Sequence, residues 1–145
     1  SQLIERDSSI AELKSFIGNK KCLVIGSSWK EDIAIMKNWL NNNDQNKNYK
    51  IIIAPHEVAP SSIKQLCDSL DYHPIKWSSL QGCVINDLES ASTLIIDSIG
   101  LLTKVYNYAD LAYVGGAMGT KGLHNILEAA TYGVPVIIGK NYEKF

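Results

Sequence analysis

The sequence has few cysteines, and these form no pattern typical of a metal or redox site. Cys22, Cys67 and Cys83 are the three cysteines among 145 residues, and no two of them form a CxxC pair. An odd number of unpaired cysteines predicts neither a disulfide framework nor a zinc-binding spacing. We therefore expect reduced, mostly buried thiols, as in a cytosolic protein.

Long apolar runs and concentrated positive charge are also absent. No segment approaches 18 consecutive apolar residues, and the first residues, SQLIERDSS, lack the pattern of a signal peptide. The 14 basic residues are scattered and the net charge is −1, which argues against a nucleic-acid surface. At 46% hydrophobic and 20% charged residues, the composition indicates one globular domain.

Several familiar nucleotide-binding and catalytic motifs are missing. Gly116, Gly119 and Gly122 are spaced GxxGxxG rather than GxGxxG, and no GK[ST] follows a glycine loop. Both the dinucleotide-binding class and the P-loop class are therefore disfavoured. No HExxH, clustered Cys/His ligands or nucleophile–base signature is present, so we predict no metal site and no cofactor. The sequence favours a binding site over a catalytic one.

What the sequence contains is an alternation of short apolar runs with longer segments of helical period. The predicted strands are residues 21–26, 50–54, 83–87, 93–97, 111–116 and 135–139. The predicted helices lie near residues 8–17, 30–41, 60–70, 99–108 and 124–132. Most of the apolar runs are continuous, as in strands buried on both faces of a parallel sheet. The pattern predicts a doubly wound α/β domain.

In such sheets ligands bind outside the carboxyl ends of the strands, so the residues after each strand are candidates for a site. Ser27 and Ser28 follow the first strand, where they can cap the next helix or hold an anionic group. Pro55 and His56 follow the second strand; histidine is a conditional cation, and a lone histidine is more often structural. The segment DSIG (97–100) follows the fourth strand, where a simple turn is a sufficient explanation.

The stretch after the fifth strand is the most informative. It carries glycines that let the backbone approach a ligand without a Cβ, at positions 115, 116, 119 and 122. The following helix begins HNILE, and at about 100° per residue it places His124, Asn125 and Glu128 opposite its apolar stripe. A solvated face would also explain these polar residues. The adjoining glycines and helix N-terminus favour ligand contact, and a carboxylate suits a ligand with vicinal hydroxyls such as a ribose.

Residues 97–145 together with IGSSWKED and IIIAPHE resemble one family. The combined motifs D-[ST]-x-G, Y-x-x-A-D-x-A-x-V-G-G, H-N-x-L-E and G-[VI]-P-V-x-x-G resemble the carboxyl-terminal domain of the 3-deoxy-D-manno-octulosonic acid (Kdo) transferases, over about residues 20–145. The resemblance implies a Rossmann-like domain that forms one half of a GT-B glycosyltransferase. It also implies transfer of Kdo from CMP-Kdo to a lipid A precursor in lipopolysaccharide biosynthesis.

The resemblance also implies a set of donor-binding residues. Those that match the family's CMP and donor contacts are Ser27, Ser28, Pro55, His56, Gly100, Leu101, Leu102, Asn125 and Glu128. Gly116, Gly119 and His124 join them as neighbours in the glycine stretch and the HNILE helix. Among the departures from the family's pattern, His56 stands where arginine is common and Leu101 where glutamate is common. The first departure replaces a permanent cation with a conditional one.

The length of the chain bears on catalysis. The family's catalytic base lies in an amino-terminal acceptor domain for which 145 residues leave no room. We therefore expect the single domain 1–145 to be a donor-binding half, truncated before its final helices, soluble and inactive alone. The full-length enzyme would work at the cytoplasmic face of the bacterial inner membrane through peripheral contact. The alternatives are another GT-B enzyme using a uracil nucleotide sugar, or a stand-alone nucleotide-binding module.

Overall fold

A computed structural model describes residues 11–42, 47–72, 74–80, 85–115 and 135–138. Residues 11–17 form the first helix, α1. The later helices are α2 (Lys30–Leu40), α3 (Pro60–Ser69), α4 (Ile85–Ser90) and α5 (Leu102–Tyr106), with a 3₁₀ turn at Trp77–Ser79. The strands are β1 (Lys21–Ser28), β2 (Tyr49–Pro55), β3 (Ile75–Lys76), β4 (Thr93–Ile95), β5 (Leu111–Val114) and β6 (Val136–Ile138).

The six strands form one sheet in the order β3-β4-β2-β1-β5-β6. Every adjacent pair is parallel. In β1, Leu23 lies between Ile51 of β2 and Leu111 of β5. The predicted parallel α/β sheet is confirmed.

Helices cover both faces of the sheet. Alternate residues of each strand belong to two separate cores: Cys22 and Val24 face one, Leu23 and Ile25 the other. The first core is completed by residues of α1, α4 and α5, namely Leu13, Phe16, Leu88, Val105 and Tyr106. The second is completed by residues of α2 and α3, namely Ile33, Leu40, Ile63 and Leu66. This double coverage explains why the strand sequences are continuously apolar.

The prediction of a strand at residues 83–87 is wrong. Residues 85–90 are helical as α4, and the edge strand is instead the short β3. A short apolar run fits a buried helix as well as a strand, and here Leu88 fills the first core. The buried Lys50 of β2 supports the helix end, because its ammonium group donates to the carbonyl oxygens of Glu89 and Ala91.

Where the other predicted elements fall on described residues, they are confirmed with changes of boundary. The helix predicted at 99–108 is shorter, since α5 begins at Leu102 and Gly100 before it has φ +93°. Pro60 opens α3 as predicted, in the first turn where its missing N–H costs nothing. The helix predicted at 124–132 lies outside the described residues.

Candidate functional site

The strand order reverses beside β1. The chain adds β2, β3 and β4 on one side of β1, and then crosses to add β5 and β6 on the other. The carboxyl ends of β1 and β5 therefore form the crevice where ligands of open α/β sheets bind. At this point β1 ends in Ser27, a non-glycine residue with φ +51°, and in the buried Ser28.

A buried carboxylate lies beneath this crevice. Asp32 on the first turn of α2 is 1% exposed, and its two oxygens accept separate hydrogen bonds. The Trp29 N–H donates to Oδ2 at 2.9 Å, and the Tyr113 hydroxyl donates to Oδ1 at 3.0 Å. Burial raises the pKa of Tyr113, and the hydrogen bond to Asp32 and the negative charge of that carboxylate raise it further. Asp32 therefore joins the β1–α2 turn to β5, a role that sequence reasoning missed.

The glycine stretch starts against this carboxylate. A Cβ on Gly115 would lie 2.5 Å from Asp32 Oδ2 and 2.9 Å from the carbonyl oxygen of Ser27. The Gly115 N–H also donates to the carbonyl of Gly26 at 2.8 Å. The first glycine is thus required for close approach of the two strand ends, whereas the predicted role of the glycine stretch in admitting a ligand stays a prediction.

His56 lies at the end of β2 and contacts the turn that follows β1. Its backbone N–H donates to the carbonyl oxygen of Ser28 at 2.9 Å. Its imidazole stacks on the indole of Trp29, with ring centroids 4.2 Å apart and planes inclined at 23°. Two of the predicted site segments, Ser27–Ser28 and Pro55–His56, are therefore brought together, and Trp29 joins them.

The segment after β4 has a more structural character. Asp97 accepts hydrogen bonds from the Ser78 N–H and hydroxyl, so it stabilises the 3₁₀ turn. Leu101 and Leu102 pack against the first core. Their side chains are therefore used in packing, which leaves the backbone of this segment for any ligand contact. The Ser98 hydroxyl is buried without a hydrogen-bond partner among the described residues.

A cavity of about 530 Å³ lies next to the strand ends. It is bounded by α2 and α3 and reaches Ser28, Trp29 and Pro55. Its α2 side is lined by Lys30 and Lys37 among others, and its α3 side by Ser62 and Gln65 among others. No sequence motif indicates this cavity, since the two helices that form it are separated by β2.

Several predicted site residues lie outside the described part of the chain: Gly116, Gly119, His124, Asn125 and Glu128. Within the described ranges no group of three or more His, Cys, Asp or Glu side chains could hold a metal ion. No helix in those ranges is long and apolar enough to cross a membrane. Cys22 and Cys67 are free thiols, and burial is the main cause that raises the pKa of Cys22 to about 12.

Comparison with known proteins supplies a relationship. No protein-family model matches the sequence. The Kdo transferase of Chlamydophila psittaci is 32% identical over 126 residues, covering 83% of this chain and 27% of its own length. The chain is homologous to the Kdo transferases. The Haemophilus influenzae Kdo transferase is 29% identical over 131 residues, covering 81% of this chain and 30% of its own.

Two further comparisons extend this result. A bifunctional glycosyltransferase/methyltransferase of Fusobacterium nucleatum is 33% identical over 125 residues, which cover 86% of this chain and 19% of that protein. This chain thus matches less than a third of each of these three relatives. The crystal structure of the C-terminal CMP-Kdo binding domain of WaaA from Acinetobacter baumannii matches with a TM-score of 0.70. It covers 100% of this chain and 75% of that one at 20% identity, and confirms the fold.

Proposed function

We propose that this chain is the donor-binding part of a Kdo transferase and that it binds CMP-Kdo. The observation that carries the proposal is the position of the family-matched segments. Ser27–Ser28 and Pro55–His56 meet at the carboxyl ends of β1 and β2, beside the point where the strand order reverses. An open α/β sheet binds nucleotides outside the carboxyl ends of its strands at that reversal, which here is the adjoining crevice between β1 and β5. The homology to Kdo transferases supports CMP-Kdo as the nucleotide sugar.

The local structure suits an anionic ligand. Helix α2 begins at Lys30, directly after the Ser27–Ser28 turn, so its unpaired N–H groups lie at the same edge as the strand ends. Asp32 accepts the Trp29 N–H at this end, and the amides of the first turn of α2 have no acceptor within the helix itself. His56 adds a conditional positive charge. These groups would bind the phosphate of CMP, and would stabilise the negative charge that develops on CMP as it leaves.

The remaining contacts are assigned by sequence. We propose that Asn125 and Glu128 hold the cytidine ribose, and that the backbone of Gly100, Leu101 and Leu102 lies beside the nucleotide. His124, Gly116 and Gly119 would complete the binding surface. No metal or cofactor is required in this scheme, since the charge is borne by helix N-termini and side chains.

The whole enzyme would need a second part. We propose that the full-length protein is a GT-B enzyme with an amino-terminal acceptor domain. That domain would supply the base that deprotonates the acceptor hydroxyl. Its acceptor would be a lipid A precursor, reached by peripheral contact with the cytoplasmic face of the inner membrane. On this view the present chain binds the donor but does not transfer it.

The test is calorimetric titration of the full-length protein with CMP. We expect saturable binding that Glu128→Ala weakens about tenfold, the usual cost of losing one charge-assisted hydrogen bond. Lys64→Ala is the matched control, because Lys64 forms an exposed pair with Asp68 on α3 and should leave affinity unchanged. UMP added in competition tests the uracil alternative. Absence of CMP binding up to millimolar concentration, or tighter binding of UMP, would contradict the proposal.

A further inference from the structure

The aromatic pair at the strand ends has a feature that the donor-site assignment does not explain. Trp29 matches none of the residues that the family resemblance assigns to the ligand. It is nevertheless 37% exposed at the edge of the site, one of the large hydrophobic side chains left in solvent. Its indole is covered on one side by the ring of His56, at 4.2 Å between centroids. An exposed tryptophan in that position calls for a functional reason.

Backbone hydrogen bonds hold both residues of the pair. The backbone N–H of His56 donates to the carbonyl oxygen of Ser28, the residue before Trp29, and the backbone N–H of Trp29 donates to the carboxylate of the buried Asp32. The two rings are thereby fixed to β1, α2 and β2 at once. Trp29 also lines the cavity between α2 and α3. The stacked indole occupies one face of the imidazole and so limits its rotation toward that side.

We propose that Trp29 is a positioning residue that holds His56 for contact with the anionic group of the ligand. Stacking engages the face of the imidazole and leaves the two nitrogens in the ring plane uncovered, so that the protonated ring can donate to a phosphate from either one. When His56 is protonated, attraction between the cation and the indole strengthens the stack. The same protonation gives a charge-assisted hydrogen bond to the phosphate. Ligand binding therefore becomes tighter as His56 gains its proton.

Other charged residues lie next to Trp29 and His56 in the sequence and also bear on how ligand binding depends on pH. Helix α2 contributes Lys30 and Glu31 besides the buried Asp32. Glu57 follows His56 and accepts a hydrogen bond from Ser62 at the start of α3. The first turn of α3 carries no acidic residue. Glu57 and Lys30 carry opposite charges, and the stack on Trp29 is the specific contact of the imidazole ring.

The inference rests on the proposed function, and the experiment separates the two. CMP affinity of the full-length protein is measured at pH 5.5 and pH 8 for the wild type, Trp29→Leu and Trp29→Phe. The CMP phosphate itself titrates near pH 6, so each ratio of affinities is read against that of His56→Gln. We expect a wild-type ratio about tenfold above this reference, retained in large part by Trp29→Phe and reduced to about twofold or less by Trp29→Leu. His56→Arg should bind CMP well at both pH values.

A second readout examines the stack without ligand. In the NMR spectrum of the protein, the ring protons of His56 should be shifted by the indole ring current, and Trp29→Leu should abolish that shift. Loss of the shift with an unchanged pH ratio would overturn the inference and leave the donor site standing. Failure of the wild type to bind CMP at all would overturn the proposed function and the inference with it.

Discussion

Substituting Gly26 tests how closely α5 packs on the strand that leads to the site. A Cβ at Gly26 would lie 2.0 Å from the hydroxyl oxygen of Tyr106, 2.8 Å from its Cζ and 3.2 Å from Leu102 Cδ1. Tyr106 is 0% exposed, so its ring cannot turn into solvent without opening the first core. Overpacking of this kind costs about 1–3 kcal/mol and sometimes more. We expect Gly26→Ala to lower the free energy of unfolding by about 3 kcal/mol, a large part of a typical domain's stability.

The clash has an identifiable partner, which allows a double-mutant cycle. Tyr106→Phe removes the hydroxyl that lies nearest to the added methyl group. The double variant should therefore be more stable than the sum of the two single effects predicts, by about 1–2 kcal/mol. The rescue should be partial, because the Cζ of the ring remains 2.8 Å from the added carbon.

The assay is urea denaturation of the purified protein at 25 °C, followed by circular dichroism. Gly18→Ala is the matched control: Gly18 has φ +58° and nothing within 4 Å of its would-be Cβ. It should cost about 1 kcal/mol from backbone strain alone and should add to Tyr106→Phe without coupling. A Gly26→Ala cost below 1 kcal/mol, or strict additivity with Tyr106→Phe, would refute the packing argument.

Three further predictions concern the crevice and the core. Gly115→Ala should lower the free energy of unfolding in urea by about 2–3 kcal/mol, because its methyl group would press on the Asp32 carboxylate. The cost should fall when Asp32 is replaced by alanine. Equal costs in both backgrounds would contradict this. Tyr113→Phe should lower the free energy of unfolding by about 1.5–3 kcal/mol at pH 8. Because the folded pKa of Tyr113 is raised, its contribution to stability should persist up to the unfolded pKa near 10 and decline above it. A cost of the substitution that grows above pH 10 would contradict this pH dependence. Cys22 is buried, and its pKa is raised to about 12. Iodoacetamide at pH 8.5 should therefore alkylate it no faster than the protein unfolds, as followed by mass spectrometry. Rapid labelling of the native protein would contradict its burial.

The sequence predicted the sheet because its strands are buried on both faces. Continuous runs such as KCLVIG and KIIIA are hard to place anywhere but in the interior of a parallel sheet. The same argument failed at residues 83–87, because the described part of that segment, residues 85–87, belongs to α4. Period alone does not separate a short buried helix from a short buried strand, so the error lies where the rule is weakest.

The site could be predicted where it depends on position after a strand, and was missed where it depends on long-range contact. The strand-end rule found Ser27, Ser28 and His56 without knowledge of their partners. The roles of Asp32 and Trp29 could not be found that way. An aspartate on a first helical turn is normally an exposed cap, and its burial here depends on Tyr113, 81 residues away.

On the proposed function, CMP binds at the carboxyl ends of β1 and β2. The most direct measurement is a titration of the isotope-labelled full-length protein with CMP, followed through backbone amide chemical shifts. We expect the largest shift changes at Ser27, Ser28 and His56, with little change at Lys37 and Ser69 at the far end of the α2–α3 cavity. Changes concentrated at Lys37 and Ser69, or no changes at millimolar CMP, would contradict it.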